Sequence, residues 1–322
     1  MIIDCQSHVF DPRWLAYLES RTSDPRASRT SQGWEFVLGP LRLKLQPDAT
    51  DPIAKLRAMD VAGVEIALIS SNLPGPHTYG ADGVHMAAQM HDWLAETVAE
   101  HPDRFVFVCT PPMHDIEAAL AEIDRCVATH DARAVQLYSH INGVRPDASE
   151  FEPFWAAMAS AGLPVILHPH IPVFERDLAG RQMSVGLGMR FEDTIILTHL
   201  IMSGLLDRHP DLQIVCPHLG GTLPFFAGQI DHQAMVLKRG ADHITQAPSE
   251  YLNQVFYDCA APWSPALSLC LDVIGATRLV FASDHPWIQP RLIAEMIDAM
   301  NISASDRTLV LSGNAKQLFR IP

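Results

Sequence analysis

Positive charge is scarce in this 322-residue sequence: Lys and Arg number 23 against 37 Asp and Glu, a formal net charge of −14. Such an acidic surface repels phosphate backbones and anionic headgroups, so neither nucleic acid nor a membrane is an expected partner. Long apolar runs are also missing, and none approaches the ~20 residues of a membrane span. The six cysteines (Cys5, Cys109, Cys126, Cys216, Cys259, Cys270) show no Cys-x-x-Cys spacing. Most lie in apolar runs, so reduced, buried thiols are expected rather than disulfides or a thiolate metal site. The opening Met1-Ile2-Ile3-Asp4 has no basic n-region and no cleavable apolar stretch, which reads as a cytoplasmic protein. No Gly-x-Gly-x-x-Gly follows an early strand and there is no Walker loop, which counts against a nucleotide-binding open sheet. Core-forming material is plentiful: 48% of residues are hydrophobic and 19% charged, a globular composition. One domain spanning residues 1–322 is expected.

Short apolar runs alternate with helical patterns along the whole chain. The strand candidates are Ile2–Cys5, Val64–Ser70, Phe105–Cys109, Ala132–Leu137, Pro164–His168, Leu212–Cys216, Gln254–Asp258 and Thr277–Ala282. They lack polar alternation, as strands buried on both faces do in a parallel sheet. Helical stretches cover Gly83–Glu100, Asp115–Thr129, Ser149–Ala161, Phe191–Arg208, Ser264–Ile274 and Pro290–Met300. Another starts with Asp51-Pro52 as cap and first residue and closes at Gly63. Eight strand–helix units predict an α/β fold, the (β/α)8 TIM barrel, with a doubly wound open sheet as the alternative. Trp34–Leu38, Gly39-Pro40 and Leu41–Leu45 read as a β-hairpin inserted after strand 1. An insertion there lies on the face where barrel active sites are, so residues 28–47 are expected to form a flap beside the site.

Histidine is abundant, at 16 residues. His8 follows strand one, His168 ends strand five, His218 follows strand six and Asp284 follows strand eight. In a barrel these four project onto one rim. Two imidazoles and a carboxylate suit Zn²⁺ or another divalent transition metal and leave a position open for water.

The sequence resembles the amidohydrolase superfamily, in its branch around 2-amino-3-carboxymuconate-6-semialdehyde decarboxylase. The carrying motifs are Ile3-Asp4-Cys5-Gln6-Ser7-His8, Gly162-Leu163-Pro164-Val165-Ile166-Leu167-His168-Pro169, Ser203-Gly204-Leu205-Leu206-Asp207-Arg208-His209-Pro210-Asp211-Leu212, Pro217-His218-Leu219-Gly220-Gly221, Ala282-Ser283-Asp284-His285-Pro286 and Gly313-Asn314-Ala315. The resemblance implies that His8, His168 and Asp284 are metal ligands and that His218 is the catalytic acid/base. It also implies a zinc ion, with manganese as the alternative, and a homodimer. His140 matches a histidine that relatives often carry near the pocket.

Three departures concern the site. The resemblance implies His, Glu or Asp two residues before His8, and Gln6 stands there. A carboxamide oxygen binds a metal without adding negative charge, so Gln6 is a fourth ligand or a partner of the metal water, and weaker metal binding is expected. Gln46 and Gln229 occupy positions where the decarboxylase has arginines, the usual bidentate partners of a carboxylate. Their loss predicts a substrate other than that dicarboxylate, with Arg42 and Lys44 nearby as compensating charges. His170, His285 and Trp287 adjoin the ligand motifs and are substrate-contact candidates, and Phe10, Trp14, Tyr138 and Trp263 are candidates for an apolar lining.

The favoured reading is a divalent-metal-dependent nonoxidative decarboxylase of an unsaturated or aromatic carboxylic acid. In it, His218, or the metal water it activates, protonates the carbon that loses carbon dioxide, and Asp284 holds the metal. A hydrolase of a lactone, ester or amide could use the same site, with Asp284 taking a proton from the metal water. A metal-poor barrel that binds a small molecule without turnover is the third reading, prompted by Gln6.

Overall fold

The computed structural model describes residues 1–39, 41–178 and 183–322. Eight parallel strands form one sheet: β1 (Ile3–His8), β5 (Ile66–Ser70), β6 (Phe105–Cys109), β7 (Ala134–Tyr138), β8 (Val165–His168), β9 (Ile214–Cys216), β10 (Phe256–Asp258) and β11 (Leu279–Val280). All eight lie within or beside the runs expected from the sequence. The ends of the sheet meet. Cys5 N–H donates to the Phe281 carbonyl at 2.9 Å, Asp284 N–H to the Gln6 carbonyl at 2.9 Å and His8 N–H to the His285 carbonyl at 2.7 Å. This seam closes a barrel and excludes the open sheet.

The strands alternate between two cores. Leu68, Val108, Ala134, Ile166, Val215 and Val280 face one another inside the barrel with Ile3 and Cys5. Ala315, Leu318 and Phe319 of the last helix (Asn314–Phe319) join that inner core. Ala67, Ile69, Phe105, Phe107, Val135, Leu137, Val165, Leu167, Ile214 and Leu279 point outward, into the layer beneath the surrounding helices. Being buried on both faces is why these strands read as continuous apolar runs.

β1 carries an irregularity that decides the site. Ile3 and Asp4 pair with Ile66 and Ala67, but Ser7 and His8 pair with Ile69 and Ser70. Three residue steps on β1 thus match two on β5, a β-bulge that places both Cys5 and Gln6 opposite Leu68. Bulges re-aim side chains in this way. Beyond it, His8 faces inward beside Ser70, while Asp4 faces outward.

Helix α2 (Pro52–Ala62) begins at the Asp51 cap and closes at Gly63, as the sequence indicates. It carries Lys55, only 2% exposed, against the outside of the seam. The expected helix Phe191–Arg208 is instead two, α6 (Met189–Met202) and α7 (Leu205–Arg208), broken at Ser203-Gly204. The insertion after β1 is larger than a hairpin: β2 (Arg26–Thr30), β3 (Gly33–Leu38) and β4 (Leu41–Leu45) form a three-stranded antiparallel sheet. Pro40, in the expected turn, lies outside the described residues. Ala27, Phe36 and Leu45 on one face of this sheet pack on Phe10, Trp14 and Met90. All six cysteines are free and buried. Among the described residues no helix is long and apolar enough to cross a membrane.

The seam has a side-chain lock. The buried Asp4 carboxylate accepts the Ser283 N–H at 3.0 Å and the Ser283 hydroxyl at 2.5 Å. Asp4→Ala leaves Ser283 unsatisfied and removes an anion near the buried Lys55. Such a loss should lower unfolding free energy by about 3–5 kcal/mol. Guanidinium denaturation measures it, and a change below ~1 kcal/mol would mean that closure does not depend on this carboxylate.

Candidate active site and metal centre

At the C-terminal rim, one ligand atom from each of His8, His168 and Asp284 lies within 4.8 Å of the others. The hydrogen bonds behind them set the tautomers. The Ser70 hydroxyl gives its proton to Gln136 Oε1 at 2.7 Å, and Gln136 Nε2 donates to the Ser71 carbonyl at 2.8 Å. At its 3.1 Å contact with His8 Nδ1, Ser70 must therefore accept. His8 carries its proton on Nδ1, and Nε2 presents a lone pair. His168 Nδ1 donates to the Pro169 carbonyl at 2.8 Å, which frees its Nε2 in the same way. Burial, with His8 close by, holds His168 down to about 3, so the ring stays neutral, as a ligand must.

His8 Nε2 stands 3.2 Å from Asp284 Oδ1 yet has no hydrogen-bond partner. A lone pair facing a carboxylate oxygen is repulsive unless a cation lies between them. Gln6, 3% exposed, likewise leaves both amide atoms without a partner. Buried polar atoms are rarely orphaned in native proteins. The donor set therefore fits a divalent cation. A second buried group, His91, Cys109 and Cys126, does not. His91 Nε2 accepts the Thr110 N–H at 2.9 Å and Nδ1 meets Glu122 at 2.5 Å, so both ring nitrogens are engaged. Arg125 grips Glu122 from the other side, completing a hydrogen-bonded strut between helices.

His218 sits beside the triad. Its Nδ1 lies 3.0 Å from Asp193 Oδ2 and its Nε2 3.5 Å from Asp284 Oδ2. Burial and nearby Arg190 push this imidazole down, but Asp193 and Asp284 outweigh them and hold it up at about 8. Asp258, at the end of β10, accepts the His218 N–H at 2.7 Å and the Ala260 N–H at 3.0 Å. His218 and Asp284 both adopt positive φ, +53° and +56°. For non-glycine residues this costs of the order of 1 kcal/mol each and concentrates at functional sites. Gly221 lets α6 come close: a Cβ there would lie 2.3 Å from the Arg190 carbonyl oxygen. That approach brings Asp193 to His218.

Several sequence candidates stand apart from this cluster. His140 has both nitrogens on backbone, Nε2 at 2.8 Å from the Ile171 carbonyl and Nδ1 accepting the Gly143 N–H at 3.2 Å. It clamps two loops and has no atom left for a substrate. Gln46 is exposed after β4, and Gln229 is exposed on α8 (Leu223–Asp231), so both stand apart from the buried cluster. Arg42 and Lys44 are exposed as well. His285 turns its Nδ1 to Lys55 Nζ at 3.4 Å, outside the barrel. Trp287 packs edge-on against Phe10 and stays 37% exposed, while Trp263 is 68% exposed. His170 is buried with both nitrogens free of partners.

Sequence reasoning missed Asp193, Lys55 and Asp258. Asp258 is signalled, because it ends a predicted strand as His168 does. Asp193 and Lys55 lie within helices and carry no local signal.

The fold is shared with solved structures. 5-Carboxyvanillate decarboxylase from Sphingomonas paucimobilis superposes with a TM-score of 0.87 at 24% identity, covering 100% of this chain and 99% of that one. Dihydroxybenzoic acid decarboxylase from Polaromonas sp. JS666, solved with bound manganese and the inhibitor 2-nitroresorcinol, gives 0.80 at 24% identity, covering 99% and 97%. In sequence, gamma-resorcylate decarboxylase of Rhizobium sp. (strain MTP-10005) is 28% identical over 320 residues, covering 94% of this chain and 97% of the relative. The amidohydrolase family matches residues 3–321, which carry the seam, the histidine pair and Asp284 alike, and the chain belongs to that family.

Proposed function

We propose that this chain is a divalent-metal-dependent nonoxidative decarboxylase of an aromatic carboxylic acid. The observation that carries the proposal is His218, its ring set between the Asp193 and Asp284 carboxylates beside a set of metal-competent donors. The decarboxylase relatives support it. His8 Nε2, His168 Nε2 and Asp284 would hold the ion, with the Gln6 amide oxygen as a fourth, uncharged donor. When bound, a divalent ion supplies Lewis acidity toward a substrate carboxylate or neighbouring hydroxyl. Zinc and manganese both suit two imidazoles and a carboxylate. The manganese in the Polaromonas structure supports the second.

Asp193 fixes the His218 ring through Nδ1, so Nε2 carries the proton that faces the site. As the bond from ring carbon to carboxyl breaks, its electron pair takes that proton and carbon dioxide leaves. His218 is left neutral and regains a proton from water. The hydrolytic reading asks Asp284 to act as a base. Burial alone would raise its pKa, but neighbouring His218 holds it below the usual carboxylate range, which makes it a weak base. The acid role of His218 is therefore favoured. Six unpaired thiols support a reducing, cytoplasmic setting.

A homodimer is part of the same proposal. Phe225 is 72% exposed, Phe226 42% and Val236 65%, large apolar side chains on and just after α8 that water disfavours. Sedimentation should give a dimer for the wild type and a monomer for Phe225→Asp; a monomeric wild type contradicts it.

His218→Asn should lower kcat by about 10²–10⁴-fold, the usual worth of a general acid, while metal content stays unchanged. Because His218 must be protonated, activity persists below its pKa and declines above it. The wild-type profile should show an alkaline limb at or below about 8, absent from the variant's residual activity. An unchanged kcat would remove His218 from the reaction.

A further inference from the structure

A divalent ion meets little negative charge in this centre. His8 and His168 offer neutral imidazole lone pairs, and Asp284 supplies the one carboxylate of the ligand group. That carboxylate is already shared, since His218 Nε2 lies 3.5 Å from its Oδ2. Gln6 is the remaining donor. The β1 bulge turns it into the same space, it is buried, and both of its amide atoms lack a hydrogen-bond partner. An idle amide in a buried place suits a cation on its oxygen, because native proteins rarely leave such atoms unsatisfied. A carboxamide brings no charge to that cation, however.

The other buried carboxylates nearby are committed elsewhere. Asp193 Oδ2 stands 3.0 Å from His218 Nδ1 and 3.3 Å from Arg190 Nε, on the ring edge away from the ligands. Asp258 Oδ1 accepts two backbone amides. Asp4 faces out of the barrel and is taken by Ser283. Glu192 is engaged with Arg145. Among the described residues, none of these carboxylates joins the ligand group. A divalent ion held here keeps a positive charge that no protein group neutralises, and burying such a charge is unfavourable. A carboxylate that arrives at the open position removes that cost. An uncharged ligand does not.

We infer that Gln6 makes metal binding and carboxylate binding interdependent. The acid completes the charge of the site, so the ion is held more tightly when an acid is bound, and the acid binds well only with the ion. The linkage is reciprocal: the factor by which a carboxylate raises metal affinity is the factor by which the metal raises carboxylate affinity. A charged side chain at position 6 would neutralise the ion permanently and remove this dependence. The inference rests on the decarboxylase reading, which places the reacting carboxylate at the metal.

Competition between the manganese-loaded protein and a chelator tests it, with free manganese read by electron paramagnetic resonance. The measurement is made without added acid, with saturating benzoate, and with benzamide as the uncharged control. Benzoate should tighten manganese binding by about tenfold or more, within the range of coupled sites, and benzamide should leave it unchanged. Gln6→Glu should hold manganese about tenfold more tightly than the wild type with no acid present, and benzoate should then add less than about threefold. Gln6→His, another uncharged donor, should keep the full benzoate effect, which separates charge from coordination. The wild-type comparison decides the inference even where a variant fails to fold. If benzoate leaves manganese affinity unchanged, if benzamide tightens it as much, or if Gln6→Glu keeps the full effect, the linkage is wrong and the decarboxylase reading stands. If the wild type takes up no manganese with or without benzoate, the metal centre and the decarboxylase reading fall, and this inference with them.

Discussion

The closing seam between β1 and the segment that follows β11 is the constraint on which the rest of the molecule depends. A parallel barrel leaves no free edge only if its first and last strands pair. Here the pairing bonds belong to the site residues themselves. The amide of Asp284 reaches the Gln6 carbonyl at 2.9 Å, and the amide of His8 reaches the His285 carbonyl at 2.7 Å. Residues almost 280 positions apart in sequence become fixed neighbours by main-chain bonds. The left-handed backbone of Asp284 is held by the same closure.

Behind the seam, the polar groups are arranged to free two lone pairs rather than to satisfy them. Ser70 and Gln136 set the proton of His8, and the Pro169 carbonyl sets that of His168. Such partners on the far ring nitrogen are what orient histidine ligands and raise their basicity. The bulge in β1 completes the arrangement by turning Gln6 into the same space. On the other side, Asp193 and Asp258 hold His218 by its ring and by its amide, so its orientation does not depend on His8 or His168. The cluster therefore has two halves that meet at Asp284.

Much of this was legible in the sequence, and for a physical reason. Strands buried on both faces leave unbroken apolar runs, and Phe105–Cys109 is recovered to the residue. Strand ends in a barrel share one rim, so His8, His168, His218 and Asp284 were readable as one cluster from position alone. What escaped depends on tertiary contact. The bulge has no local signature, and neither does Lys55 behind the seam or Asp193 on α6. The third flap strand, Arg26–Thr30, is polar and largely exposed, with Ala27 its one buried residue. Proximity to a motif misled in the other direction. His140 and His285 adjoin site residues, yet their ring nitrogens serve the Ile171 carbonyl, the Gly143 amide and Lys55. Gln46 and Gln229 were expected near the substrate, but both are exposed.

The central claim is that the seam assembles a metal site from His8, His168 and Asp284 despite the neutral Gln6. Elemental analysis of the purified, unchelated protein beside His168→Ala tests it most directly. Near one equivalent of manganese or zinc in the wild type, lost in the variant, is the predicted result. A wild type that holds no metal even after loading would contradict the account and bring the binding-protein reading forward.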